Sequence, residues 1–105
     1  MHARLARYML SGDAQELTRK AEDGILPTFK SMPGFKAYSV IESDGELFSF
    51  SAWETAEQAE AASIAVTDWV AENIGSEEIQ LIESRFGEVL LSTTLGVSTT
   101  TGARV

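Results

Sequence analysis

A β-hairpin at residues 36–53 constrains the fold of this chain more than any other feature. Its two halves are separated by the dipeptide Asp44-Gly45. Asp-Gly between two segments of alternating polarity is a strong signal for a two-residue turn, and such a turn fixes which residues lie opposite one another. Tyr38 is therefore predicted to pair with Ser51.

Both faces of this hairpin carry apolar side chains. One face holds Ala37, Ser39, Ile41, Phe48, Phe50 and Ala52, and the other holds Lys36, Tyr38, Val40, Glu42, Leu47, Ser49, Ser51 and Trp53, with Lys36 opposite Trp53. A hairpin packed on helices needs only one apolar face, so we expect the first set to contact the helices and the second set to lie on the open side. Because apolar surface left in water forgoes about 25 cal/mol per Å², a second copy of the sheet is expected to cover that side. The prediction is a symmetric homodimer with a small-molecule cavity between its sheets.

Two helices and two further strands are predicted around the hairpin. A strand over residues 3–10 is followed by a helix that begins after Asp13, and Pro27 is expected to kink or break this helix. A second helix begins after Thr55, and a last strand lies within residues 78–92. The residues that form one stripe at helical spacing are Ala14, Leu17, Ala21, Ile25, Phe29 and Met32 in the first helix and Ala59, Ala62, Val66, Trp69, Val70 and Asn73 in the second.

The resulting order of elements, βαββαβ, predicts a ferredoxin-like α+β domain, in which an antiparallel sheet carries two helices on one face. This domain is expected to occupy residues 1–92. Residues 93–105 are rich in serine, threonine and glycine. They are expected to form either a frayed tail or an extra strand that contacts the partner subunit.

Charge and composition argue against several classes of function. The net charge is −8, and the stretch between Ala37 and Ser84 contains many acidic residues but no lysine or arginine. Nucleic acids and anionic membrane surfaces both attract cationic proteins, so neither is an expected partner. The chain has no cysteine, no apolar run near the ~20 residues of a membrane span and no secretory signal, which predicts a cytoplasmic protein.

The segment MPGFKAYSVIESDGELFSFSAWETAEQAEAA, residues 32–62, resembles the core of the antibiotic biosynthesis monooxygenase family, in the dimeric α+β barrel superfamily. The shared features are the lead-in Pro33-Gly34-Phe35, the hairpin itself, and Trp53-Glu54-Thr55 before the second helix. The order of elements agrees over residues 3–92. The resemblance implies a homodimeric barrel.

The same resemblance implies a monooxygenase without cofactor or metal, in which a deprotonated aromatic phenol, quinol or polyketide reacts with O₂ itself. Trp53 matches the family tryptophan and would stack on a planar substrate, while Tyr38 would hydrogen-bond or exchange a proton with it. Alternatively, both are aromatic residues of the barrel core, because fold does not imply function. The other residues expected to contact the substrate, from the same face, are Val40, Leu47, Ser49 and Ser51.

Two arginines are candidates to orient an anionic substrate. Arg7 in the first strand and Arg85 in the last would bind a phenolate or a carboxylate. Alternatively, each pairs with a surface acid such as Glu83 or Glu88. Tyr8 points to the opposite side of its strand from Arg7, so these two residues cannot line one cavity.

Two other functions remain open beside the oxygenase. The scaffold would also suit a non-catalytic module that binds a small apolar molecule or a partner protein. A lactone or enol isomerase would need a titrating group in the cavity, for which a buried Glu42 is the candidate. Haem degradation, found in the same superfamily, is disfavoured. Its members use an asparagine, a tryptophan and a histidine, whereas here the only histidine is His2 and the only asparagine is Asn73.

Overall fold

A computed structural model of the chain describes residues 1–75 and 77–98. The elements are β1 (His2–Leu10), α1 (Ala14–Ser31), β2 (Phe35–Ser43), β3 (Glu46–Trp53), α2 (Ala56–Asn73) and β4 (Ile79–Glu88). The strands form one antiparallel sheet in the order β2-β3-β1-β4, and both helices pack on the same face of it. The predicted ferredoxin-like α+β fold is confirmed.

Capping side chains explain where both helices begin. The Asp13 carboxylate accepts a hydrogen bond from the backbone N–H of Gln15 at 2.9 Å. Thr55 and Gln58 form a reciprocal capping box, with donor–acceptor distances of 3.0 and 3.2 Å. Each cap satisfies backbone N–H groups that have no partner inside the helix.

Helix α1 continues through Pro27, so the predicted break does not occur. Proline removes one N–H donor from the helix, but packing holds the turns on both sides of it in place. Ala21, Ile25 and Phe29 are all buried against the rest of the protein. The predicted apolar stripe of this helix is therefore confirmed on both sides of the proline.

The hairpin has the predicted register over residues 37–43 and 46–52. Asp44 and Gly45 have φ angles of 47° and 78°. Positive φ at both central positions is what a two-residue hairpin turn requires. The turn sequence therefore fixed the pairing as expected.

The pairing differs from the prediction only at the far end of the hairpin. A bulge between Phe35 and Ala37 places Phe35, rather than Lys36, opposite Trp53. Lys36 forms a salt bridge instead, with 3.1 Å between its Nζ and Oε1 of Glu54. An inserted residue of this kind turns one side chain out of the alternating pattern.

The prediction of which hairpin face contacts the helices is wrong. Trp53, Leu47 and Ser51 lie on the helix side and are only 0%, 3% and 4% exposed. Ile41 and Phe48, which were expected to contact the helices, lie on the open side and are 57% and 37% exposed. The tyrosine, serine and tryptophan face is therefore the inner face of the sheet.

Packing volume explains this choice of face better than hydrophobicity does. The helices already fill the inner space with large side chains, including Ile25, Phe29 and Val66. Interiors are packed to nearly constant density, so the strands beneath these side chains need small residues at their centre. Ala6 and Ser49 meet that need, whereas Phe48 would not.

The chain beyond β4 contributes little to the sheet. Ser92 and Val97 form an isolated antiparallel bridge, with N–O distances of 2.8 and 3.0 Å. Most of the predicted tail, residues 99–105, lies outside the described residues. No helix in the described part of the chain is long and apolar enough to cross a membrane.

Candidate small-molecule site

A cavity lies between the sheet and the two helices, and the strand register lines up its floor in rows. The rows across β2, β3 and β1 are Tyr38–Ser51–Arg4, then Val40–Ser49–Ala6, then Glu42–Leu47–Tyr8. Paired residues of an antiparallel sheet point to the same side, so each row presents its side chains together. Five predicted site residues, namely Tyr38, Val40, Leu47, Ser49 and Ser51, line this cavity.

The roof of the cavity is apolar. It is formed by Leu17, Ala21, Ile25 and Phe29 of α1 and by Val66, Trp69 and Val70 of α2. The enclosed volume is about 50 Å³. An engineered cavity that holds benzene measures roughly 150 Å³, so an aromatic ligand must move lining side chains in order to bind here.

The floor leaves this space because its central residues are short. Ser49 and Ala6 occupy the middle row, between the much larger Tyr38 and Tyr8 in the flanking rows. A side chain of leucine size at Ser49 would reach into the cavity. The two serines of β3 therefore create the room and also bring hydroxyl groups to it.

An outer groove of about 320 Å³ adjoins the cavity between α1 and the hairpin. Val40 and Leu47 line both spaces, so their side chains form the partition between them. Polar residues on the groove side include Gln15, Arg19 and Glu42. An outward movement of the partition would join the two spaces into one of ligand size.

Arg4 brings a positive charge to the cavity. It is 3% exposed, its Nε donates to Oγ of Ser63 at 3.0 Å, and its Nη2 donates to the hydroxyl of Tyr8 at 3.3 Å. Within residues 1–75 and 77–98, no carboxylate forms a salt bridge with it. Burial of a charge without an opposite charge is costly, which makes this side chain exceptional in the core.

Tyr38 is a neutral phenol at the cavity wall. Burial raises the pKa of Tyr38 to about 12, with a smaller contribution from Tyr8, while the nearby Arg4 charge acts in the opposite direction. Its ring meets that of Phe29 edge to face, with 5.0 Å between centroids. At physiological pH it can donate a hydrogen bond, but it is a poor base.

Trp53 does not line the cavity. It is fully buried beneath α1 and α2, with its ring edge to face with Phe29 and Phe35 at centroid distances of 5.1 and 5.4 Å. Its indole N–H donates to Oγ of Ser51 at 3.0 Å. The structure thus connects Trp53 to the cavity through Ser51 and leaves no space for a substrate ring against the indole.

Arg7 and Arg85 are not among the described residues that line the cavity. Both lie on the open side of the sheet, where they line a shallow pocket with Leu5 and Phe48. Arg7 pairs with Glu46 at 3.2 Å, and Arg85 pairs with Glu83 at 2.6 Å. For Arg85 the alternative expectation, pairing with Glu83, is the one that the structure shows.

No protein-family model matches this chain, and no curated protein is significantly similar to it in sequence. Solved structures do resemble it. SnoaB, a cofactor-independent oxygenase from Streptomyces nogalater, has a TM-score of 0.65 and 11% sequence identity over 87% of this chain and 94% of its own. A Chloroflexus aurantiacus protein assigned to the antibiotic biosynthesis monooxygenases has a TM-score of 0.58 and 23% identity over 91% of this chain and 100% of its own. This chain has the fold of the antibiotic biosynthesis monooxygenases.

The resemblance of residues 32–62 to that family is thus confirmed at the level of the fold. A variant of MhuD with two manganese protoporphyrin IX molecules per active site has the same fold, with a TM-score of 0.64 and 14% identity over 88% of this chain and 97% of its own. Proteins of this fold therefore include one that binds a porphyrin. The described residues of the present chain include no group of three or more histidine, cysteine, aspartate or glutamate side chains arranged to hold a metal ion.

Sequence reasoning missed Arg4, Tyr8 and the helix residues of the roof. Arg4, Ala6 and Tyr8 alternate along β1, so a strand pattern places all three on one side. The signal that would have found Arg4 is the pairing of β1 with β3, which sets it opposite Ser51. That pairing joins distant parts of the chain, and no short turn specifies it.

Proposed function

We propose that this protein is a cofactor-independent monooxygenase that oxidises a small aromatic phenol or quinol in the helix–sheet cavity. The observation that carries this proposal is an enclosed, largely apolar cavity whose polar groups come from Arg4, Tyr8, Tyr38 and two serines. Such a lining can hold a flat apolar body by contact and a ring hydroxyl by hydrogen bonds. The fold shared with SnoaB supports the same proposal.

The proposed reaction transfers one oxygen atom to a ring carbon. The deprotonated substrate supplies the electrons that reduce O₂, so no separate reductant is needed. The substrate loses two hydrogens, one from the ring carbon and one from its hydroxyl group, and both carbons become carbonyls. The ring carbon takes one oxygen atom, and the other oxygen atom leaves with the two hydrogens as water. The protein has to orient the ring, keep bulk water out and stabilise negative charge on the substrate oxygen.

Individual residues have distinct tasks in this proposal. Tyr38 donates a hydrogen bond to the substrate oxygen, because its raised pKa keeps the phenol protonated. Val40, Leu47 and Ser49 contact the ring. Trp53 acts as a positioning residue, because its indole N–H donates a hydrogen bond to Oγ of Ser51. The hydroxyl proton of Ser51 then points to another acceptor.

A non-catalytic binding module is the second candidate, and one observation favours it. Among the described residues, none of those that line the cavity is an aspartate, a glutamate or a histidine. Glu42 is exposed and lines only the outer groove. A lactone or enol isomerase needs a base at the reacting carbon, so this third function has no support from the cavity.

Oxygen uptake with a panel of anthrones and hydroquinones tests the proposed function. Ser49→Val should abolish uptake because the added methyl groups fill the cavity. Ser43→Val, an exposed position near the hairpin turn, should leave it unchanged. Tyr38→Phe and Trp53→Phe should each reduce uptake. No uptake with any substrate, together with measurable binding, would instead identify a binding module.

We also propose that the open face of the sheet is covered by a second copy of the chain. Leu5, Met9, Ile41 and Phe48 are 51%, 50%, 57% and 37% exposed on this face, and the Arg7–Glu46 pair lies among them. A patch of this kind on a sheet face is typical of an interface. Native mass spectrometry should show a dimer that Phe48→Glu dissociates. Ile64→Glu, at a 65% exposed position on α2, is the control and should stay dimeric.

A further inference from the structure

Arg4 is a buried cation that forms no salt bridge with any carboxylate in the described part of the chain. The salt bridges in the described part of the chain use Arg7, Lys36 and Arg85, all on other surfaces. The two partners of Arg4, Ser63 and Tyr8, are neutral hydroxyl groups. Folding alone would favour an apolar residue at this position. A buried charge kept beside a cavity therefore points to a ligand of the opposite charge.

Arg4 lines the same cavity as two other hydroxyl groups, those of Ser51 and Tyr38. A guanidinium carries five N–H donors, and the hydrogen bonds to Ser63 and Tyr8 use one on Nε and one on Nη2. Ser51 lies opposite Arg4 in the sheet, and Tyr38 lies opposite Ser51. The row Tyr38–Ser51–Arg4 therefore presents donors from three adjacent strands to one end of the cavity.

We propose that Arg4, together with Ser51 and Tyr38, binds one anionic oxygen of the ligand, so that the cavity takes an acidic ring hydroxyl in its phenolate form. The apolar roof accepts the aromatic body, and the row accepts the oxygen. This inference names the residues that hold the anionic oxygen of the substrate and rests on the proposed monooxygenase for its role in turnover. Binding of the anionic oxygen to Arg4 does not depend on the proposed oxygenase activity.

Capture of the phenolate removes the need for a base in the protein. The ligand's proton passes to bulk water before or during binding, and Arg4 favours the charged form that remains. In residues 1–75 and 77–98, the other charged or titratable groups facing the cavity are Tyr8 and Tyr38 from the sheet, while α1 and α2 present only apolar side chains and the indole of Trp69. The described cavity lining has no carboxylate or histidine, which is consistent with a site that needs no base from the protein.

The test is the ionisation of bound 4-nitrophenol, whose phenolate absorbs visible light. Titration with pH should show that binding to the wild-type protein lowers the pKa of this phenol by one or more units, a tenfold or larger change in its ionisation constant. Arg4→Met keeps a long apolar side chain but removes the charge, and it should abolish the shift. Arg7→Met, on the opposite side of the same strand, is the matched control and should keep it. Arg4→Lys should retain part of it.

Neutral and carboxylate ligands separate the outcomes. Nitrobenzene should bind Arg4→Met as well as it binds the wild type, which also shows that the variant is folded. Tighter binding of 4-nitrobenzoate than of 4-nitrophenolate would overturn the assignment to a phenolate, and an unchanged shift in Arg4→Met would overturn the role of Arg4. Failure of every aromatic ligand to bind would refute both this inference and the proposed function. A phenolate site that depends on Arg4, without oxygen uptake, would refute the proposed function alone.

Discussion

Leu47→Ala should weaken the fold and open the cavity at the same time. Leu47 is 3% exposed and packs in one cluster with Ala6, Tyr8, Ile74 and Ile79. Truncation of a buried leucine to alanine costs about 2–5 kcal/mol, depending on how well the site can collapse. Because the void would join the outer groove and admit water, we expect the lower part of that range, about 2–3 kcal/mol.

Urea unfolding followed by circular dichroism measures this loss, and Leu90→Ala is the control. Leu90 is 62% exposed, so its truncation should change the free energy of unfolding by less than about 0.5 kcal/mol. The same variant tests the route to the cavity, because Leu47 separates the cavity from the outer groove. The association rate of 4-nitrophenol, followed by stopped-flow absorbance, should rise severalfold in Leu47→Ala.

Two results would refute this reasoning. A loss no larger than that of Leu90→Ala would mean that Leu47 does not support the core. An unchanged association rate, in a variant that is destabilised as expected, would mean that ligands reach the cavity by another route.

Three further predictions concern the aromatic residues around the site. In an ultraviolet titration of Tyr8→Phe, which leaves Tyr38 as the only tyrosine, the tyrosine should ionise well above its ordinary value of 10.0 in the folded protein and near that value in urea. The pKa of Tyr38 is raised to about 12 in the folded state, so its contribution to stability is complete below pH 10 and is lost between pH 10 and 12. The free energy of unfolding of the wild type should therefore fall across that window more steeply than that of Tyr38→Phe. Phe29→Leu should lower the free energy of unfolding in urea by about 1–3 kcal/mol, because Phe29 is 1% exposed and the variant loses its edge-to-face contacts. Phe86→Leu, at a 48% exposed position, is the control, and an equal loss in both variants would contradict this prediction.

The sequence predicted those parts of the fold that short-range signals specify. Capping residues located both helix starts, and the dipeptide Asp44-Gly45 located the turn and the strand pairs next to it. The order of elements then indicated the fold. A break at Pro27 was given too much weight: one lost hydrogen bond does not outweigh a stripe of buried side chains on both sides of the proline.

The side of the sheet that the helices cover could not be predicted in the same way. Both hairpin faces are apolar, and hydrophobicity favours the one with Ile41 and Phe48, whereas the helices cover the other. The deciding factor is the volume of the helix side chains, which becomes known only when the elements are assembled. Arg7 and Arg85 were misplaced as well. Residues of β1 and β4 were assigned to the cavity without knowledge of the long-range strand pairing, and that pairing puts Arg4 in the cavity instead.

The most direct test of the central claim, that the ligand site lies between the helices and the sheet, is a methyl NMR titration of the full chain with 4-nitrophenol. The account predicts chemical-shift changes concentrated on the methyl groups of Val40, Leu47 and Val66, which line the cavity. Methyl groups of Leu5 and Ile41, on the open side, should change little. Changes confined to Leu5 and Ile41 would place the ligand on the open face and contradict the account.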